Sequence, residues 1–401
     1  LPFSSDTLCA VGGQVEQLET RVGAAGGRPA LARIDLGALR ANYREARRRA
    51  NGRSVIAVIK ADAYGHGALP AARVLVAEGC ERLAVLSIEE ASRLRDAGIA
   101  AQLLVLGGVH DASEAAEAVA RRLVPVLHDD DGRARMAAAA RASGARAPVQ
   151  VEVDTGMRRM GVPATDADAL LAAVAADPSL SLDGTFTHLA QADDADLAPS
   201  LAQLAQFREV LARARGRGEA PGLVHCSNSA GLLCGASLAD ALPEASAVRP
   251  GLMLFGVRPA PHLPASLKPV MTLLTRVVQL HRVRGGEGVG YNARYRAAGD
   301  TRVATLALGY ADGVPVATSG RGEVLIGGRR FKVAGRVSMD YVSVEVGDAP
   351  VALGDEALLF GASAQGVLPV EDAASAAGTI AYELLVRVAA RVPRVFVDET
   401  D

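Results

Sequence analysis

The 401-residue sequence has no tryptophan, only 3% aromatic residues and four cysteines. Cys9, Cys80, Cys226 and Cys234 form no CxxC pair or metal-ligand spacing, which argues against a disulfide framework or zinc site, and no metal is expected. An excess of charge is missing too. The formal charge of −2 provides no basic field for nucleic acid. No apolar run reaches membrane-spanning length, because Gly, Arg or Asp interrupts each one. No GxGxxG follows the first strand-like run, which weakens a dinucleotide-binding reading. These absences leave a soluble, enzyme-sized chain whose 50% hydrophobic residues can bury a large core in two domains.

Lysine is the scarcest charged residue: Lys60, Lys268 and Lys332 stand against 40 arginines. Arginine stays charged and is no amine nucleophile at neutral pH, whereas lysine becomes one when its pKa falls. Lys268 lies in a Pro-flanked linker and Lys332 in a hairpin-like strand, where solvent exposure explains both. Lys60 instead ends the apolar run "SVIAVIK". Read alone, it could equally be a strand-end lysine reaching solvent.

Residues 1–29 are Gly- and Ala-rich without a strong period, and are expected to be a processed or added tail. From residue 30 to 265, apolar runs such as "SVIAVIK", "RLAVLS", "QLLVLGG", "LVPVLHD" and "VQVEVDTG" alternate with helical segments such as "LPAARVLVAEG" and "IEEASRLRDAG". Continuous Val/Ile/Leu runs mark buried parallel strands, and about eight strand–helix units predict a closed (β/α)8 barrel. Beyond the Pro-rich "RPAPHLPASLKP", residues 266–401 read as a mainly antiparallel β domain with one late helix near "VEDAASAAGTIAYELLVRVAA". The predicted fold class is therefore α/β, a TIM-like barrel followed by a β domain.

Functional residues of such barrels gather where strands end. Those positions hold Lys60 and Tyr64, Glu152 and Arg159, His188, His225 with Asn228 and Ser229, and Arg249 with Gly251. One amine, a hydroxyl, arginines and imidazoles suit an anionic, planar cofactor held as a Schiff base. His225 could act in the chemistry or only orient its neighbours, and Arg249 alone reads as an ion-pair partner. His66 reads as a loop residue, and "HDDDGR" as a solvated acidic loop.

"VIKADAYGHG" resembles the cofactor-lysine motif of the alanine racemase family. "VDTGMRRMG", "THLAQAD", "HCSNSA", "VRPGLMLFG", "VGYNARY", "GYADG", "GRVSMD" and "TIAYE…RVPR" follow in the family's order, from about residue 31 to 396. The resemblance implies an isomerase that binds pyridoxal 5'-phosphate through Lys60 and racemises alanine, supplying D-alanine for peptidoglycan. Lys60 and Tyr291 are implied as the two acid/base groups, with Tyr291 contributed by the other subunit of a homodimer. A phenol ordinarily titrates near about 10, and His188 and Arg249 are the candidates to assist it. Arg249 is implied to face the pyridine nitrogen, where a permanent cation discourages ring protonation and favours racemisation over amino transfer.

The phosphate is implied to meet Tyr64, Ser229, Tyr382 and the backbone N–H groups of Gly251 and Leu252, with Asn228 and His188 also bordering the cofactor. Arg159 is implied to contact the cofactor and the substrate carboxylate, assisted by the Met339 backbone. Tyr310, with Tyr291 and Tyr382, is implied to narrow the entrance. Four of the seven tyrosines fall in these motifs.

Glu152 departs from the family, in which many members carry a carbamylated lysine there; a carboxylate supplies the same charge and is expected to buttress Arg159. "VPVATSG" after "GYADG" also departs, lacking the usual aromatic and basic residues. Retention of Tyr382 favours alanine as substrate. The alternatives are a broad-specificity or serine racemase, a barrel-type decarboxylase, which Arg249 disfavours, and a non-catalytic carrier, which Tyr291 disfavours. A cytoplasmic location is the default, with export left open by the N-terminus.

Overall fold

A computed structural model describes residues 29–398 and the short strand Cys9–Ala10. Eight parallel strands, Ser54–Val58, Arg82–Val85, Gln102–Val105, Val124–Leu127, Ala147–Asp154, Leu180–Phe186, Leu223–His225 and Ala247–Val248, close into a barrel, the last pairing with the first. Their apolar residues are buried almost throughout, because helices cover the outer face and the strands fill the inside. Helices such as Ala68–Ala77, Ile88–Asp96, Ala112–Ala120 and Asp130–Ser143 follow successive strands. Ser87, Asp111 and Asp129 start three of these helices by accepting backbone N–H bonds, fixing where the loops end.

No long helix follows the last barrel strand. Its place is taken by Leu36–Ala50, which precedes the first strand and packs on the 3-10 turn Leu252–Phe255. Asn42 fixes this contact: its Nδ2 donates to the carbonyls of Leu254 (3.1 Å) and Lys268 (2.8 Å).

The second sheet is built on Met271–Val283, which pairs antiparallel with Leu31–Asp35, Thr301–Leu306 and Glu356–Ser363. Leu31–Asp35, which falls within the segment expected to form the barrel, thus lies in the second sheet. There it also pairs, in parallel, with Arg394–Val397. Half-buried alternation suits it to that place, and Asp35 then caps the helix that returns the chain to the barrel. The expected single late helix is two, Val370–Ala377 and Ala381–Arg387. Gly378 takes a φ of 68° and ends the first in a left-handed turn. One continuous apolar cluster runs from the barrel into the β domain, so both domains present a common rim.

Candidate active site

The strand Ser54–Val58 delivers Lys60 to the C-terminal end of the barrel. The next four residues, Ala61, Asp62, Ala63 and Tyr64, have φ of 51°, 53°, 55° and 54°, a left-handed turn without a glycine. Each such residue costs about 1–2 kcal/mol, so the surroundings must hold it. Glu90 does so on one side, accepting from Ala61 N (2.8 Å) and Leu86 N (2.7 Å). Asp62 accepts from Ala68 N at 2.7 Å. His66 secures the far end: its Nδ1 donates to the carbonyls of Ala63 (2.9 Å) and Tyr64 (3.0 Å). Its ring is buried and stacks on Phe255 at 4.5 Å, and burial lowers its pKa to about 4. His66 is therefore a neutral brace under the lysine turn. Its burial between two glycines left little trace in the sequence beyond the "YGHG" spacing.

A cavity of about 820 Å³ opens at this barrel end. Eleven sequence-predicted residues line it: Lys60, Tyr64, Glu152, Arg159, His188, Asn228, Ser229, Arg249, Gly251, Leu252 and Tyr382. Tyr291, Tyr310 and Met339 do not. They lie on the β domain, 67%, 44% and 52% exposed. Tyr310 and Met339 are adjacent, since Tyr310 N donates to Ser338 O (3.0 Å) and Ala311 N to Met339 O (3.1 Å). The turn carrying Tyr291 packs nearby on Gly335 and Arg336.

Burial lowers the pKa of the Lys60 amine, and the positive charge of Arg159 adds to this; Glu90 and Glu152 oppose it. Arg249 is buried, and desolvation lowers its pKa to about 10, so it remains a cation at neutral pH. Its Nη2 donates to Thr187 O (2.9 Å) and to His188 Nδ1 (3.3 Å), and its Nη1 donates to His225 Nδ1. The guanidinium also lies over the Phe186 ring at 4.3 Å. All these partners are neutral. Burial, then Arg249, lowers His188 to about 3 and His225 well below the usual imidazole range.

Glu152 does not form the expected contact with Arg159. Its Oε2 lies 3.4 Å from His128 Nδ1, while Arg159 extends to the exposed rim and acts on it only through its field. Burial raises the Glu152 carboxyl and lowers His128, whose Nε2 bonds Leu106 O at 3.1 Å. The shorter stem of glutamate explains this difference: it stops beside the neighbouring strand end rather than reaching the rim. His128, placed in the acidic loop by sequence, is thus part of the cavity's second layer.

The opposite wall can take an anion. Ser229 Oγ accepts from Gly251 N (3.0 Å) and Met253 N (3.2 Å). A Cβ on Gly251 would collide with Tyr64 Oη and lie 3.1 Å from its Cζ, so only glycine lets that hydroxyl approach the backbone. An amine of lowered pKa, a fixed cation and a hydroxyl-and-amide cradle together fit an aldehyde cofactor bearing a phosphate. Among the described residues no His/Cys/Asp/Glu group could hold a metal ion, and no helix is long and apolar enough to cross a membrane.

Residues 34–259 match the family model described as alanine racemase, N-terminal domain, and residues 270–396 the one described as alanine racemase, C-terminal domain. The alanine racemase of Syntrophobacter fumaroxidans is 42% identical over 88% of this chain and 93% of its own length. That of Streptomyces coelicolor is 42% identical over 92% and 96%. Among solved structures, alanine racemase from the D-cycloserine producer Streptomyces lavendulae superposes with a TM-score of 0.86 at 37% identity, covering 92% of this chain and 96% of that one. The Streptomyces coelicolor structure gives 0.86 at 40% identity, covering 92% and 98%. With both domains matched and the lysine-bearing cavity lying where they meet, the chain belongs to the alanine racemase family.

Proposed function

We propose that this chain interconverts L- and D-alanine using pyridoxal 5'-phosphate, with Lys60 and Tyr291 as the two acid/base groups. The observation that carries this reading is the placement of Lys60, an amine of lowered pKa on a braced turn, facing the Arg249 cavity. When bound, the cofactor supplies an electron sink that stabilises the charge left by the departing α-proton. Lys60 holds the cofactor and moves a proton at its Nζ on one face of the substrate. Tyr64, Ser229 and Tyr382 hydroxyls and the Leu252 backbone N–H would hold the phosphate, joined by the Gly251 N–H as it turns from Ser229 Oγ, and Asn228 would border it. Arg249 meets the pyridine nitrogen as a fixed cation, which favours return of the proton over amino transfer.

Racemisation needs a second proton donor on the opposite face. Tyr291 lies outside the cavity of its own chain, so it serves the cavity of a second copy, in a homodimer with shared sites. Tyr310 and Met339, on the same exposed surface, come with it; Arg159 and the Met339 backbone bind the substrate carboxylate. His188, neutral and accepting from Arg249 at Nδ1, carries its proton on Nε2 and can assist Tyr291 there. Tyr382, whose ring centroid lies 6.1 Å from that of Tyr64, narrows the pocket to a small side chain. Borohydride reduction of the cofactor-loaded protein followed by peptide mapping, with chiral chromatography of an L-alanine digest, tests the proposal. The expected result is label on Lys60 and accumulation of D-alanine. Label elsewhere, or no D-alanine, overturns it.

A further inference from the structure

Strand Ala147–Asp154 places Gln150, Glu152 and Asp154 on one face, by the two-residue period of a strand. Glu152 borders the cavity, while Gln150 lies deeper in the barrel, fully buried and outside the chemistry described above. A buried amide in an apolar strand must be satisfied. Gln150 Nε2 donates to Asp183 Oδ2 at 2.8 Å, and Gln150 Oε1 lies 2.9 Å from His225 Nε2. Gln102 Nε2 donates to the other carboxylate oxygen of Asp183 at 3.0 Å.

Two features of strand Leu180–Phe186 serve this contact. Val149 pairs with Leu182 and Gln150 with Gly184, so Asp183 is the extra residue of a β-bulge. A bulge re-aims a side chain, here toward the Gln150 amide. Gly184 leaves that amide its room: a Cβ there would stand 3.0 Å from both Cδ and Nε2 of Gln150.

The donors and acceptors admit one arrangement. A carboxylate only accepts, so Asp183 takes the NH2 end of Gln150 and turns its carbonyl toward His225. That carbonyl accepts, so His225 carries its proton on Nε2. The ring stacks on Phe186 at 4.7 Å and 13°, which holds its plane. Its Nδ1 lone pair then faces Arg249 Nη1. In the other tautomer, or with the ring charged, an N–H would face the guanidinium N–H.

We propose that Gln150, anchored by the bulged Asp183, is a positioning residue that fixes His225 as its Nε2–H tautomer and thereby aims Arg249. The inference rests on the role of Arg249 proposed above, and it links the barrel's interior to the cofactor's ring.

Neutron diffraction of the deuterium-exchanged, cofactor-loaded wild-type protein reads the relay directly. A deuteron on His225 Nε2 and none on Nδ1, with the Gln150 ND2 group toward Asp183, is expected. A deuteron on Nδ1, alone or with Nε2, overturns the proposal. In Gln150→Leu, racemase kcat should fall roughly tenfold to hundredfold, the effect of one lost hydrogen bond in a charged network, with KM within about twofold. Unchanged kcat in a folded Gln150→Leu variant also overturns it. Asp183→Asn, which lets the amide turn, should lower kcat in the same direction; a wild-type kcat there removes the bulge from the account. If Gln150→Leu fails to fold, the wild-type neutron map decides alone. An inactive wild-type protein would defeat the proposed function, whereas an active one with the wrong tautomer would defeat only the relay.

Discussion

Replacing Gly251 with alanine tests the anion cradle at a single atom. Gly251 has a φ of −125° and a ψ of −82°, outside the α and β basins of a residue with a Cβ, so alanine adds a backbone cost to the effect of its methyl. That methyl would stand 3.1 Å from Tyr64 Cζ, closer still to Oη, and 3.4 Å from Val58 Cβ. Carbons in contact need about 3.5–4.0 Å, so Tyr64 must move. It has little freedom: it is buried, on the left-handed turn, with its ring centroid 5.1 Å from that of Phe255. Overpacking of this kind costs about 1–3 kcal/mol, equivalent to about 5- to 150-fold in cofactor affinity if it falls on the bound state. Absorbance titration of the apoprotein with pyridoxal 5'-phosphate, alongside thermal unfolding, separates the two effects. Tyr64→Phe in the Gly251→Ala background removes the closest atom and should recover part of any loss in Tm, a coupling a double-mutant cycle reads. Wild-type cofactor affinity and Tm in Gly251→Ala would refute the cradle.

Mixing inactive Lys60→Ala and Tyr291→Phe proteins should restore activity, because one site of each mixed dimer keeps both groups; a mixture as inactive as its components would refute shared sites. Glu152→Gln removes a negative field that raises the Lys60 pKa. Stopped-flow measurement across pH should therefore show the acid limb of cofactor capture moving to lower pH, with altered turnover; an unmoved profile and unchanged turnover would dismiss Glu152 as a participant. His66 has a folded pKa of about 4, below the ordinary value near 6.5. Between these values the unfolded chain binds more protons, so stability is present above about 6.5 and is lost as pH falls toward 4. The slope is at most about 1.4 kcal/mol per pH unit. Urea unfolding at several pH values should show a shallower slope in His66→Gln, and an identical slope would remove His66 from the linkage.

The residues that lie near a strand end in the sequence were readable from it. Lys60, Arg159, His188, Ser229 and Arg249 each follow an apolar run, and the barrel brings all of them to one cavity. Features set by distant partners were hidden. The left-handed turn at Ala61–Tyr64 contradicts local propensity and exists because Glu90 holds it from another segment and the buried His66 closes it from just beyond. Leu31–Asp35 falls within the segment expected to form the barrel, and only its partners near residues 271 and 394 assign it to the second sheet. Glu152, expected beside Arg159, turned instead to His128, a choice decided by side-chain length and not by pattern. Gln150 carried a usable signal, as a polar residue at an inward position of a buried strand, alternating with Glu152 and Asp154. Its partner Asp183 could not be foreseen, because a bulge shifts the register by one residue.

The most direct test of the account is incubation of the cofactor-loaded protein with L-alanine and a panel of other L-amino acids in deuterated water. NMR follows loss of the α-proton while chiral chromatography follows the D-isomers. Exchange and inversion confined to alanine are expected from Lys60 and Tyr291 on opposite faces and Tyr382 at the pocket. Inversion across serine, lysine or arginine would contradict the Tyr382 argument, and an α-proton that never exchanges would contradict the proposed chemistry itself.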